Sequence, residues 1–211
     1  MATHEKFRFK SLAKLVEKIE DCGLEEEIRL DEDLSPLARP VDIGGLTAPN
    51  SLGIHPMEGC DGTADGSPDA LTIRRYERFA AGGAGLLWFE ATAVVPEGRA
   101  NPRQLWIHEG NVGRFASLAQ RAGEVSRREF GEGFRPVSVL QLTHSGRYSR
   151  PVDRPVPIIA FRHPLLDPKH KLPDDYPVIS DGELEALEES FVQAARLAWQ
   201  AGFQAVDVKA T

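Results

Sequence analysis

The sequence predicts an α/β fold of the (β/α)8 TIM-barrel type, with about the first four strands present behind an N-terminal helical extension. Three observations lead there. Apolar runs alternate with amphipathic segments as strand–helix three times and then a strand, which implies a parallel sheet with right-handed crossovers. No glycine-rich phosphate fingerprint follows the first strand, as a doubly wound dinucleotide fold would require. Polar residues follow the strand ends, which is where barrel proteins build their sites. A whole barrel of about 250 residues needs eight strands, so this pattern reads as the N-terminal half of one.

The elements follow in order. Residues 1–35 form a separate extension, in which Leu12, Leu15, Val16 and Ile19 recur at helical spacing and Gly23 is the stop, before the charged run EEEIRLDED. The barrel part spans 36–211. Val41, Ile43 and Leu46 around Gly44-Gly45 predict a short hairpin. The first buried strand is expected over 52–57. Ser67-Pro68 reads as N-cap and first residue of a helix carrying Ala70, Ile73, Tyr76 and Ala80 on one face, with Gly82-Gly83 as its stop. The second strand covers 84–89 and ends in Glu90-Ala91-Thr92. A helix is expected over 112–130, and the third strand begins at Val137 and ends in QLTHSGR. Residues 147–179 are proline-rich and aperiodic, as functional lids often are. Ser180 and Glu183 form a capping box before a helix with Leu184, Leu187, Phe191, Ala194 and Ala198 inward. The last strand covers 203–208. Trp88, Phe89 and Trp199 read as core or helix-packing residues.

Composition narrows the function. With 41% hydrophobic and 27% charged residues, the chain has ordinary globular composition. A net charge of −7 argues against a nucleic-acid partner, whose phosphates need clustered Lys and Arg. Two cysteines, Cys22 and Cys60, make neither a disulfide framework nor a zinc site, so a reducing cytoplasm is expected and no metal is. The opening MATHEKFRFK lacks the apolar segment of a signal peptide, and no run is apolar for long enough to span a membrane.

Four segments, His55-Pro-Met-Glu, GGAGLLWFEATAV from Gly82, EGRANPRQLW and QLTHSGR, occur in an order and spacing that resembles the Old Yellow Enzyme family of FMN-dependent oxidoreductases. The resemblance runs from about Leu34 to the C-terminus and implies an FMN-containing barrel. NADH or NADPH would reduce the flavin, which passes hydride to an activated alkene, typically an enone; the cofactor does the redox chemistry and the protein positions it. By the same resemblance, Pro56, Met57 and Glu58 lie along the flavin ring at its N5 and O4 edge. Ala91 is the small residue that lets backbone approach the ring, and Gln141 pairs its amide with the pyrimidine edge. Lys209 takes the first of two carbonyl-binding positions. A small-molecule substrate is the expected partner, and a homo-oligomer is compatible with the pattern.

Two residues depart from the family pattern. Glu58 stands where Thr or Cys is common and would tune the flavin; a carboxylate there is repelled by anionic reduced flavin unless protonated or turned away. Lys209 replaces the common His, and its cation polarises a carbonyl with looser geometry. Cys60 lies two residues on and does not take the family cysteine's part. The second carbonyl ligand, the tyrosine proton donor and the phosphate cradle belong to later strands, so four strands alone are expected to bind FMN weakly and to be inactive. Glu90 is expected to form an internal ion pair, while His144 and Arg147 either serve the site or pin the following loop. Two other functions fit the residues: a catalytically silent half-barrel acting as a binding or assembly module, and a flavin-free aldolase or isomerase with Lys209 as a Schiff-base amine.

Overall fold

A computed structural model describes residues 6–209. Residues 1–5, part of the charged opening stretch, and residues 210–211 lie outside the described residues. The chain divides into two compact units, one up to Pro36 and one from Leu37 onward.

In the first unit, helix α1 (Leu12–Asp21) begins at Ser11, whose side chain accepts from the Lys14 N–H, and stops at Cys22 before Gly23 at φ +65°. Of the four apolar positions on its face, Ile19 is buried, whereas Leu12 and Val16 are exposed.

The second unit opens with a hairpin, β1 (Val41–Ile43) and β2 (Leu46–Ala48), around Gly44 and Gly45, both at positive φ. Two successive left-handed residues are what a two-residue hairpin turn of matching twist requires. The main sheet has four parallel strands in the order β3 (Gly53–Ile54), β4 (Leu86–Ala93), β5 (Val137–Thr143) and β6 (Ala205–Lys209). Strand order equals chain order, so right-handed crossovers put every connecting helix on one face, as in a barrel wall. The helices agree: α2 (Ala70–Ala81) packs on α3 (Val112–Phe130), and α3 on α5 (Asp181–Gln200). The sheet is open and is a partial α/β barrel wall.

The core lies between sheet and helices. Leu87 and Phe89 from β4, Leu140 and Leu142 from β5, Tyr76, Phe115, Leu118 and Phe203 form it. Tyr76 stacks on Phe89 at 4.2 Å between ring centres, and Phe203 meets Phe89 edge-on at 5.0 Å. Each such buried side chain contributes about 1.5–3 kcal/mol. Asn50 fixes the entry to β4, accepting from the Gly85 N–H at 2.8 Å and donating to Gly83 C=O at 2.7 Å.

Four sequence expectations change. The apolar run 52–57 forms only a two-residue strand, because β3 is the sheet edge and pairs on one side. Helix α2 starts later: Asp69 is its N-cap and forms a capping box with Thr72, while the Ser67 hydroxyl donates to Asp65 at 3.1 Å. Ala70 is therefore exposed, and Thr72 joins Tyr76 and Ala80 on the buried face. Trp199 is 75% exposed rather than packed. The Ser180–Glu183 capping box forms as read, starting α5. Residues 147–179 contain the single-turn helix α4 (Leu166–Lys169) and a bridge between Ile159 and Val178.

Candidate functional site

Strand register decides which side chains meet. Gln141 on β5 is the direct partner of Asp207 on β6, and Thr143 that of Lys209. Gln141 is buried and its Nε2 donates to Asp207 Oδ2 at 2.6 Å. At the end of β6, Lys209 Nζ lies 3.6 Å from Glu58 Oε1, in the segment that follows β3. The two edges of a flat four-stranded sheet are about 14 Å apart, so this ion pair spans a curved mouth. It joins Glu58, Lys209 and, through Asp207 on the same strand, Gln141.

Ala91 sits where the β4–β5 ladder slips by one residue, between Phe89 and Thr92. A bulge leaves backbone groups unpaired, and here side chains satisfy them. Gln104 Nε2 donates to Ala91 C=O at 3.0 Å, Gln104 Oε1 accepts from the Ala100 N–H at 2.6 Å, and the Tyr76 hydroxyl accepts from the Glu90 N–H at 2.6 Å. Ala91 is fully buried, and the 99–106 segment is thereby fastened to the bulge.

Pro56, Met57 and Glu58 have no ladder to hold them, and a charged network does so instead. Arg75 Nη2 contacts Glu90 Oε1 at 2.7 Å and Asp61 Oδ1 at 2.9 Å; the Gly59 N–H donates to Glu90 Oε2 at 2.8 Å. Arg75 Nη1 also reaches Met57 C=O at 3.4 Å, and the Thr72 hydroxyl donates to Asp61 at 2.6 Å. Burial pushes the Glu90 carboxyl up from its ordinary range, while Arg75 and the Gly59 N–H pull it back. Burial, reinforced by Glu58, Glu90 and Asp61, likewise raises the Cys60 thiol. Glu90 is thus an internal ion-pair member. The Met57 side chain is 72% exposed.

Arg147 pins the loop that follows it. It binds Asp167 and donates Nη2 to Phe161 C=O at 2.8 Å, and Arg162 Nε lies 2.9 Å from the other Asp167 oxygen. Burial opposes the Asp167 charge, but these guanidinium contacts and the His163 peptide outweigh it and hold the carboxyl low. Arg162 further donates to Pro173 C=O at 2.8 Å and Tyr176 C=O at 3.1 Å. The proline-rich excursion is therefore a cross-braced cover. Beneath it a cleft of about 570 Å³ runs past His144, Phe161 and Phe191 to Lys209. His144 Nδ1 accepts from the Gly146 N–H at 3.0 Å, leaving Nε2 as the proton-bearing nitrogen, and burial lowers its pKa.

Asp207, Gln104, Arg75, Asp61 and Asp167 were not among the residues singled out by sequence. Each acts by pairing with a residue at least 11 positions away, so only the register and loop path bring them in.

A sequentially ordered parallel sheet with polar groups gathered at its C-terminal strand ends defines a site of the β/α-barrel class. Comparison with known proteins narrows this class. The chain is 30% identical over 176 residues to an NADPH dehydrogenase of Geobacillus thermodenitrificans, covering 82% of this chain and 47% of that protein. It is 31% identical over 169 residues to an NADPH dehydrogenase of Halalkalibacterium halodurans, covering 79% and 45%. Among solved structures, an Old Yellow Enzyme homologue from Zymomonas mobilis superposes with a TM-score of 0.63 at 23% identity, over 82% of this chain and 47% of that one. No protein-family model matches the chain. The chain is related to the N-terminal part of the Old Yellow Enzymes and shares their fold. It spans about half the length of the curated relatives it matches.

Proposed function

We propose that the chain contributes the flavin-facing strand ends of an FMN-dependent NAD(P)H oxidoreductase that reduces an activated alkene. The observation that carries this reading is the convergence of Glu58, Gln141 and Lys209 at one end of the sheet, through the Lys209–Glu58 ion pair and the Gln141–Asp207 bond.

The residues fit a flavin ring. Gln141 offers an anchored amide, Ala91 a small side chain at the strand bulge, and Met57 an exposed thioether suited to lie on a planar face. When bound, FMN would accept hydride from the nicotinamide and deliver it to the alkene. The chain's residues bind and orient. Gln141 would hold the pyrimidine edge. Pro56, Met57 and Glu58 would lie along the ring, in a segment that Arg75 braces through Met57 C=O and Glu90. Lys209 lines the cleft beneath the 147–179 cover, where its charge would polarise a substrate carbonyl. Glu58 offsets that charge, so the pair brings little net charge to the ring.

An ammonium held against Glu58 is not the free amine that a Schiff base requires, which favours the oxidoreductase over an aldolase. The test is titration of the protein with FMN, followed by flavin absorbance and fluorescence, with Gln141→Ala and Lys209→Ala alongside. Saturable binding weakened by Gln141→Ala supports the reading; binding indifferent to both substitutions contradicts it.

A further inference from the structure

Gln141 and Asp207 face each other as register partners across the β5–β6 ladder, joined by the 2.6 Å bond from Gln141 Nε2. Chemistry settles which end of the amide turns to Asp207. An ionised carboxylate only accepts, so the NH2 end must face it and Oε1 must face away. Gln141 is 8% exposed, between Leu140 and Leu142 on its strand, so the amide has little room to turn into solvent. A hydrogen bond to a charged acceptor is about twice as strong as one between neutral groups. Without Asp207, a glutamine amide offers either its donor or its acceptor end to a ligand.

We infer that Asp207 is a positioning residue that locks the Gln141 amide with Oε1 presented to the imide N–H of a flavin's pyrimidine edge. This rests on the flavin reading above and adds the device that sets the polarity of that contact. The imide N–H is a donor and requires the acceptor end of the amide. A site built around a fixed acceptor rejects a ligand lacking the donor, because the acceptor is then left unpaired.

The experiment titrates FMN and its N3-methyl analogue, which lacks that donor, into wild type, Asp207→Ala and the isosteric Asp207→Asn. In parallel, NMR follows the Gln141 side-chain amide in the flavin-free protein. Wild type should prefer FMN over the analogue by roughly tenfold. Asp207→Ala should bring the ratio to within about twofold of unity, and Asp207→Asn should fall between, because its Oδ1 still accepts. The Gln141 amide resonances should move toward free-amide positions in Asp207→Ala. Discrimination kept in both variants overturns the inference, as do Gln141 resonances unchanged by either. If wild type binds neither flavin while its Gln141 resonances remain those of a bonded amide, the flavin reading falls and takes this inference with it.

Discussion

Lys209 Nζ lies 3.6 Å from Glu58 Oε1, although the two residues come from opposite edges of the four-stranded sheet. The pair is partly exposed, at 35% and 25% for the two side chains, so its contribution to stability is small, about 0–1 kcal/mol. Its effect is on charge at the mouth. Glu58→Gln should leave the urea midpoint almost unchanged while raising the reduction potential of bound flavin, because it removes a negative charge that opposes reduction. Redox titration checks this; an unchanged potential would place Glu58 out of electrostatic reach of the ring.

Arg75 should be far less tolerant. It is the cation facing Glu90, a carboxylate 1% exposed. Removing one partner of a buried pair leaves the other uncompensated, so Arg75→Met should cost about 3–5 kcal/mol. Glu90→Gln keeps hydrogen-bonding atoms and should cost less, about 1–3 kcal/mol. Urea denaturation of both variants tests the order, and an equal or reversed cost would show that the network is not what holds residues 56–61.

His144 gives a pH signature. Burial holds its pKa below the ordinary 6.5, so the folded state prefers the neutral ring. The stability linked to His144 is present above pH 6.5 and is lost as pH falls through that value toward the folded pKa, because the unfolded chain takes up the proton first. His144→Asn should flatten this part of the stability–pH curve. A Cβ at Gly98 would land on the His144 ring, so Gly98→Ala should destabilise by about 1–3 kcal/mol. An unaltered slope in the first variant, or full stability in the second, would contradict the packing.

The cover over the cleft should loosen locally. Arg147→Ala removes the contacts to Asp167 and Phe161 C=O, and limited proteolysis should then cut within 147–179 several times faster while the sheet core persists. Unaltered cleavage would mean that Arg147 does not hold the loop.

What sequence could show depends on the range of the forces involved. Helix α3 (Val112–Phe130) and the Ser180–Glu183 box were legible because helical periodicity and caps are set by residues a few positions apart. The start of α2 is ambiguous in sequence because Ser67-Pro68 and Asp69-Thr72 both carry start signals, and only the fold gives the Ser67 hydroxyl to Asp65. The first strand is shorter than its apolar run predicts because such a run does not reveal that it lies at an edge. The resemblance points to Gln141, Glu58 and Lys209, but not to Asp207 or Arg75, since their partners are set by strand register and loop path.

Flavin binding by the protein itself is the most direct measurement. FMN added to the purified chain at high protein concentration should give a weak but saturable shift of the flavin band near ~450 nm, weakened further by Gln141→Ala by about 1–3 kcal/mol. Flavin that stays free in solution at high protein concentration, with the strand ends folded as described, would contradict the assignment of these residues to a flavin site.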